Sequence, residues 1–152
     1  KGYGPGSVIA DEPIVIPASQ TGAQAWEPHN YDGKYEGPIR MRTALAKSKN
    51  MVSIRLLQSI GTHYAQDYAG RFGFDPAKHP PYLTMALGAG SVTPWQMVTG
   101  YAVFANGGYK INPFVVREIR DEREQVVARS TEIEAGEESI RAIDPRNAFM
   151  MD

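Results

Sequence analysis

Apolar residues recur at helical spacing just before the middle of the chain. Met41, Ala44 and Leu45 stand at i, i+3 and i+4, which is the spacing of an amphipathic helix. Pro38 fits the first position of such a helix, where its missing N–H is not needed. Ser48 is the next position on the same face. The pattern predicts a helix that begins at Pro38 and ends in the polar sequence around Ser48.

A second helix is predicted directly after this polar sequence. Val52, Leu56 and Ile60 form its apolar stripe, and Gly61 can end it in the left-handed conformation. Thr62 is then placed to cap a third helix. We therefore expect two consecutive helices that are joined at a glycine.

The second half of the chain contains the clearest helix start. Thr93 supplies a cap, Pro94 takes the first helical position, and Gln96 follows three residues after the cap. Further on, residues 113–119 and 125–129 read as two β-strands around a charged turn. Helices and a strand pair together predict a mixed α/β segment.

The two ends of the chain are less regular. Residues 1–37 are rich in glycine and proline, with one short extended piece expected over residues 14–16. Asp144 and the following proline open a last helix that stops at Asp152, too short to bury a full face. We therefore expect residues 1–152 to be one partial domain, truncated at both ends.

Composition excludes several classes of function. Hydrophobic residues make up 42% and charged residues 22%, as in ordinary soluble globular domains. A net charge of −1 shows no basic excess, so a nucleic-acid partner is not expected. Without cysteine, disulfides, thiolate catalysis and iron–sulfur clusters are excluded. No apolar run approaches the about 20 residues that span a bilayer, so we expect any anchor outside this segment.

Metal and phosphate sites find little support. His29, His63 and His79 do not stand at ligand spacing, and no cofactor is implied. Residues 88–90 resemble the start of a glycine-rich phosphate loop, but a third glycine is absent at the needed spacing. Close packing at these glycines is the interpretation that we favour.

Two carboxylates lie in an aromatic loop that precedes the first helix. Asp32 and Glu36 stand four positions apart in the sequence. Two acids at the right distance could act as the catalytic pair of a glycosidase. Nothing in the sequence orients them towards each other. We therefore expect both side chains to be solvated at the surface.

The tripeptide Ser48-Lys49-Asn50 is the main candidate for chemistry. A hydroxyl can pass a proton between neighbours, and a carboxamide can both donate to and accept from a peptide bond. A second interpretation is purely structural: Ser48 or Asn50 caps the helix that follows. The tripeptide alone leaves both open.

The surroundings of this tripeptide resemble a known family. The run from Trp26 to Pro38, followed by 44–50, is similar to the S-x-N region of class A penicillin-binding proteins, most closely the 1a type. The opening residues 1–13 and the downstream segments resemble the same family. These downstream segments are residues 85–88, 92–94 and 101–108.

The family's other two motifs are absent from the chain. No serine is followed by lysine three residues later, and no Lys-Thr-Gly occurs, so S-x-x-K and K-T-G are both missing. The resemblance implies that another part of the domain supplies them. On this basis the chain alone should not form an acyl-enzyme.

The resemblance also implies a fold and a reaction. The fold is α/β, an antiparallel sheet flanked by helices, of which this segment supplies most of the helical region and a short strand pair. The reaction is acyl transfer in peptidoglycan cross-linking: a serine outside this chain attacks the D-Ala-D-Ala bond of a stem peptide, and an amine resolves the acyl-enzyme. β-Lactam antibiotics would acylate the same serine, and the site would face the periplasm at the inner membrane.

Roles for individual residues follow from the same resemblance. Ser48 would relay a proton to the leaving amine, and Asn50 would hydrogen-bond the substrate amide. Lys49 would point to solvent or support the cleft electrostatically, with a substrate contact as one possibility. Trp26 and Tyr31 would line the cleft rim or else pack within the loop.

Two other functions remain open. The chain could be a binding module that holds peptidoglycan without chemistry, since it contains no nucleophile motif. It could also be a structural module, and in that case Ser48 and Asn50 should be capped and buried.

Overall fold

The computed structural model describes residues 2–21 and 23–151. Lys1, Gly22 and Asp152 lie outside the described residues. Lys1 is the first residue of the opening run, and Asp152 is the last residue of the predicted final helix. Two compact units are present, one formed by residues 2–70 (apart from 22) and 75–91, the other by residues 71–74 and 92–151.

The first unit contains a two-stranded antiparallel sheet. Strand β1, Val8–Asp11, pairs with strand β2, Gly37–Arg40, so that Ile9 lies opposite Ile39. The predicted helix start at Pro38 is therefore wrong, because Pro38 lies within β2. A two-stranded sheet leaves one edge of each strand unpaired, and proline is tolerated there because its missing N–H is not needed.

Helices of the first unit follow the strand pair or lie within the loop that it encloses. Helix α2 begins only at Met41, whose N–H donates to the carbonyl of Ser7 at 2.8 Å and so still pairs with the opening segment. The regular helices of this unit are α1 (Ala18–Thr21), α2 (Met41–Ala46), α3 (Asn50–Ile60) and α4 (Thr62–Ala69). Short 3-10 helices of this unit are Pro76–Lys78 and Leu83–Leu87, and Gly70–Phe72 forms another where the chain passes from the first unit into the second.

Helix α3 forms the centre of the core. Met51 and Ile54 are fully buried, and they pack with Ile16, Leu57 and Leu83. The predicted α3 is confirmed from residue 50, but its buried face is wider than the predicted stripe. Both β1 and the 3-10 helix around Leu83 contact α3, so residues on more than one side of the helix are buried.

The junction between α3 and α4 depends on glycine. Gly61 has a φ of 95°, a backbone conformation that favours glycine, as predicted for the end of α3. The predicted cap at Thr62 is wrong, because Thr62 is already the first helical residue and Gly61 precedes it without a side-chain cap.

Gly88 and Gly90 have different structural roles: Gly90 allows close packing, and Gly88 ends a helix. A Cβ atom added at Gly90 would lie 1.9 Å from Nδ1 of His79, so the backbone approaches that imidazole more closely than any other residue would allow. Gly88 ends the preceding 3-10 helix in the left-handed conformation, with a φ of 84°. The close-packing interpretation of this segment is confirmed.

The second unit begins with the capped helix that the sequence predicts. Helix α5 spans Pro94–Ala105. The hydroxyl of Thr93 accepts from the N–H of Gln96 at 3.2 Å, and the side chain of Gln96 accepts from the N–H of Thr93 at 2.9 Å. This capping box is confirmed in both directions.

The remaining elements of the second unit pack around α5 or form a hairpin. Strands β3 (Glu118–Arg120) and β4 (Val126–Arg129) pair antiparallel, and the first of them is shorter than predicted. Helix α6, Pro145–Met151, starts where expected and contacts α5. A 3-10 helix spans Glu138–Ile140. No helix within the described ranges is both long and apolar enough to cross a bilayer.

Candidate active site

Ser48, Lys49 and Asn50 form the turn that connects α2 to α3. Two backbone hydrogen bonds close this turn: the N–H of Ser48 donates to the carbonyl of Leu45 at 3.0 Å, and the N–H of Lys49 donates to the carbonyl of Ala44 at 2.9 Å. These two bonds constitute a Schellman motif, in which the residue after the helix end adopts a left-handed conformation.

Ser48 occupies the left-handed position of this motif. Its φ is 53°, a region that glycine normally fills and that strains other L-residues. The side chain is exposed, and its hydroxyl has no hydrogen-bond partner among the residues that the structure describes. The turn therefore presents an available hydroxyl to solvent at an energetic cost to the backbone.

Asn50 is the first residue of α3 and is partly exposed. Its Nδ2 donates to the backbone carbonyl of His29 at 2.8 Å, and this partner fixes the orientation of the amide because a carbonyl can only accept. The His29 ring in turn lies 3.0 Å from the hydroxyl of Tyr35. One N–H and the Oδ1 acceptor of Asn50 remain available for a ligand.

The helix-cap interpretation of the tripeptide is wrong. Lys49 is the residue that precedes α3, and no side chain at that position makes a cap hydrogen bond. Instead, Oδ1 of Asn30 accepts from the N–H of Met51 at 3.2 Å. Because a residue of the preceding loop caps the helix, Ser48 and Asn50 are not needed for that purpose.

Lys49 is buried rather than pointed to solvent, so that expectation is wrong. Its side chain is only 1% exposed. The ammonium donates to Oδ2 of Asp32 at 2.9 Å and to the carbonyl of Lys34 at 3.1 Å. Carboxylate oxygens of Glu36 and Asp11 lie 3.4 and 3.5 Å away. We call Lys49 with Asp11, Asp32 and Glu36 the lysine cage.

Ion pairing within the lysine cage shifts the pKa values of Lys49, Asp32 and Glu36. The hydrogen bond with Asp32 raises the pKa of Lys49, against the opposing effect of burial. The pKa of Asp32 is lowered, first of all by the same hydrogen bond. The pKa of Glu36 is lowered chiefly by a hydrogen bond from Lys47, whose Nζ lies 2.8 Å from Oε2. Lys49, Asp32 and Glu36 are thus charged at neutral pH.

Asp32 and Glu36 lie at the surface as expected, with side chains 47% and 36% exposed, but both also bind the ammonium of Lys49. No local pattern in the sequence indicates the role of Asp11, which is fully buried at the end of β1. Its Oδ1 accepts from Nδ2 of Asn30 at 2.6 Å, and its Oδ2 accepts from the N–H of Glu36 at 3.1 Å. Distance along the chain hides such a partner: Asp11 precedes Lys49 by 38 residues.

Trp26 and Tyr31 lie in different surroundings. Trp26 pairs through its backbone with Ile16 and packs partly buried against the core around α3. Tyr31 is 99% exposed and so does not pack within the loop. It directly precedes Asp32, whose carboxylate holds Lys49. Substrate contacts by Trp26, Tyr31 or Lys49 stay predictions.

The geometry brings together the groups needed to handle a peptide bond. An unpartnered hydroxyl can accept a proton on one side and donate one on the other. Two residues away, an oriented carboxamide can hold an amide ligand by both edges. The described residues contain no cluster of three or more histidines and carboxylates arranged to bind a metal ion.

Comparisons with known proteins agree on one family. The family model described as "Penicillin binding protein transpeptidase domain" matches residues 5–152. A curated relative, "Penicillin-binding protein 1A" of Neisseria flavescens, is 50% identical over 99% of the chain. The chain spans 19% of that relative's length.

Solved structures resemble the chain in fold. The crystal structure of penicillin-binding protein 1A from Haemophilus influenzae matches with a TM-score of 0.80 and 36% identity, over 87% of this chain and 20% of that one. Penicillin-binding protein A from Mycobacterium tuberculosis, solved as an imipenem acyl-enzyme complex, matches with a TM-score of 0.79 over 97% of this chain and 37% of that one. The identity to this second protein is 20%, so the likeness shows the fold alone.

Proposed function

The chain belongs to the penicillin-binding protein transpeptidase family, and from this premise we propose that it supplies the S-x-N part of a peptidoglycan D,D-transpeptidase site. The predicted family and its α/β fold are confirmed by the family match and by the likeness to a solved relative. The family match over residues 5–152 takes in nearly all of both structural units, and we propose that they are parts of one transpeptidase domain.

One observation carries the proposal: the hydroxyl of the strained, exposed Ser48 has no hydrogen-bond partner within the described ranges and lies on the same turn as the oriented amide of Asn50. Strain that persists in a folded protein clusters at functional sites, because the surrounding structure has to maintain it. A residue needed only for the turn would be glycine. The presence of serine there supports a role for its hydroxyl.

The proposed reaction is acyl transfer in two steps. The serine of an S-x-x-K motif, supplied from outside residues 1–152, attacks the carbonyl carbon of the D-Ala-D-Ala bond and forms an ester. Ser48 passes the serine's proton to the leaving D-Ala amine as the C–N bond breaks. In the second step the amine of a neighbouring stem peptide attacks the ester, and the proton returns along the same path.

Asn50 serves the same two steps by holding the substrate. Its remaining Nδ2 hydrogen donates to a backbone carbonyl of the stem peptide, while Oδ1 accepts from a neighbouring donor. The hydrogen bond to His29 keeps the amide in this orientation before substrate arrives. Such preorganisation lowers the reorganisation needed in the transition state.

The same site would react with β-lactam antibiotics, which present an amide to the same nucleophile. A solved relative of this fold is an imipenem acyl-enzyme complex, which supports that expectation. The remaining partner is the rest of the transpeptidase domain, which supplies S-x-x-K and K-T-G. The proposed location is the periplasmic face of the bacterial inner membrane, with a glycosyltransferase domain in the same polypeptide.

A labelling experiment tests the proposed function. A full-length protein that contains this chain is incubated with a fluorescent penicillin, denatured and separated on a gel. We expect a covalent band that an excess of unlabelled penicillin removes. A protein that binds peptidoglycan without chemistry would give no band, and that result would contradict the proposal.

The rival structural interpretation finds less support. It requires Ser48 and Asn50 to be capped and buried, whereas neither caps α3 and Ser48 is exposed. A purely binding module remains the second candidate, because the chain itself contains no S-x-x-K serine.

A further inference from the structure

We infer that Lys49, the middle residue of the S-x-N tripeptide, is a positioning residue whose buried ammonium holds Ser48 and Asn50 in their working geometry. The inference rests on the proposed function of these two neighbours. Lys49 itself does not touch the reacting atoms. It acts through the lysine cage.

The ammonium of Lys49 is a buried charge. An ammonium group that is removed from water is unfavourable unless other charges and acceptors replace the water. Lys49 meets this requirement with an acceptor at 2.9 Å on Asp32, one at 3.1 Å on Lys34, and two further carboxylates within 3.5 Å. A turn that only connected two helices would not need a buried charge.

The acceptors of the Lys49 ammonium come from distant segments of the chain. Asp11 ends β1, and Asp32 and Glu36 lie in the loop that leads into β2, so Lys49 connects two distant segments to the α2–α3 turn. Asn30 joins the same network, because its Nδ2 binds Asp11 while its Oδ1 caps α3. The lysine cage therefore holds the α2–α3 turn through Lys49 and the start of α3 through Asn30.

The strained backbone of Ser48 depends on the position of Lys49. Ser48 keeps its positive φ only while the next residue stays in place, because the N–H of Lys49 closes the Schellman motif on Ala44. Anchoring the side chain of Lys49 restrains its backbone as well. Without that anchor, we expect Ser48 to relax towards an unstrained conformation and to carry its hydroxyl away from the substrate.

Lys47 provides a matched control. It is also a lysine, lies two residues earlier, and binds the same carboxylate of Glu36 at 2.8 and 3.0 Å. Its side chain, however, is 50% exposed, whereas that of Lys49 is 1% exposed. Removing its charge deletes a neighbouring exposed ion pair with Glu36 and leaves the buried anchor of Lys49 intact.

The experiment measures acylation of the full-length protein by a fluorescent penicillin. Stopped-flow traces at several penicillin concentrations give the dissociation constant of the initial complex and the rate constant of acylation separately. We expect Lys49→Met to lower the acylation rate constant by about 10- to 100-fold, the cost of displaced catalytic groups, and to change the dissociation constant by less than about threefold. Lys47→Met should change neither by more than about threefold.

A second variant covers the case in which Lys49→Met does not fold. Asp32 is 47% exposed, so Asp32→Asn is expected to fold while it weakens the shortest contact of the ammonium. We expect it to slow acylation by about 3- to 10-fold while it lowers the melting temperature only slightly, since the carboxylate of the pair is half exposed. Acylation at the wild-type rate in Asp32→Asn, or in a folded Lys49→Met, would overturn the inference.

The outcome also separates this inference from the proposed function. If Ser48→Ala slows acylation but Lys49→Met does not, the proposed function stands and the positioning role fails. If the wild-type protein is not labelled at all, the proposed function itself fails.

Discussion

Ser48 shows most directly how this chain trades stability for an exposed group. It lies at the one position of the α2–α3 turn where the backbone is left-handed, and a serine Cβ there is strained by roughly 1 kcal/mol. Glycine would relieve the strain but would remove the hydroxyl. The residue found there therefore reports on function more than on folding.

Replacing Ser48 by glycine should stabilise the fold. We expect Ser48→Gly to raise the free energy of unfolding by about 0.5 to 1 kcal/mol, since the relief of strain exceeds the added entropy of the unfolded chain. Ser48→Ala, which keeps the strained Cβ, is the control and should give no gain. Urea denaturation measures both, and a destabilised Ser48→Gly would contradict the assigned backbone strain.

Asn30 is the residue that joins the lysine cage to α3. Asn30→Ala removes a cap and two further hydrogen bonds, and it leaves the buried Oδ1 of Asp11 without its donor. We expect a loss of about 2 to 4 kcal/mol in the free energy of unfolding. Asn147→Ala, the same truncation at an exposed position of α6, should stay within about 0.5 kcal/mol. Equal effects of the two variants would argue against the network.

At the scale of elements, close backbone approaches define the second unit. Gly108 has a φ of 105°, and a Cβ atom there would lie 2.6 Å from the carbonyl oxygen of Ile143. Its N–H and its carbonyl both form hydrogen bonds with neighbouring backbone groups. The carbonyl accepts from the N–H of Ala142 at 2.8 Å. The segment between α5 and α6 therefore has no room for a side chain at this position.

Two adjacent glycines allow the clash to be separated from the strain. Gly107 also has a positive φ, of 82°, but a Cβ there would meet nothing within 4 Å. We expect Gly107→Ala to cost about 1 kcal/mol for strain alone and Gly108→Ala about 3 kcal/mol, because steric overlap is added. Thermal unfolding of both variants measures the difference, and equal melting temperatures would contradict the close approach.

The sequence predicts elements best where the signal is local. The capping box at Thr93, the end of α3 at Gly61 and the start of α6 at Pro145 all depend on residues within one turn, and each is confirmed. Pro38 fails because its local preference fits both a helix start and an edge strand. Only the distant pairing with Ala10 decides between them.

The site follows the same rule. The tripeptide at 48–50 is visible in the sequence because its three residues are consecutive and the surrounding motifs are ordered. The burial of Lys49 is not visible, because its partners on Asp11 and Asp32 are brought to it by the fold. Long charged side chains are usually solvated, so sequence reasoning expects solvent at such a position.

For the whole molecule, the lysine cage makes stability depend on acidity. Lys49 lowers the pKa of Asp32, and Lys47 lowers that of Glu36, relative to 3.8 and 4.5. Depressed folded-state pKa values add stability above the unfolded values and lose it as the pH falls through the lowered folded values. The contribution of these two carboxylates is thus complete at neutral pH and is lost in acid, as the pH falls below about 4.

Removing the two exposed carboxyl groups should flatten this acid dependence. We expect the melting temperature of the Asp32→Asn/Glu36→Gln double variant to fall less between pH 6 and pH 3 than that of the wild type. Glu27→Gln, at an exposed glutamate without a side-chain partner among the described residues, is the control and should follow the wild-type curve. Parallel curves for all three proteins would contradict the pH dependence assigned to the lysine cage.

The central claim is that Ser48 and Asn50 take part in acylation of a serine supplied by the rest of the domain. The most direct measurement is the acylation rate constant of the full-length protein with a fluorescent penicillin, for Ser48→Ala, Asn50→Ala and the exposed control Ser19→Ala. We expect each site variant to react on the order of 10- to 1000-fold more slowly than wild type, and the control to react at the wild-type rate. Wild-type rates in both site variants would contradict the claim.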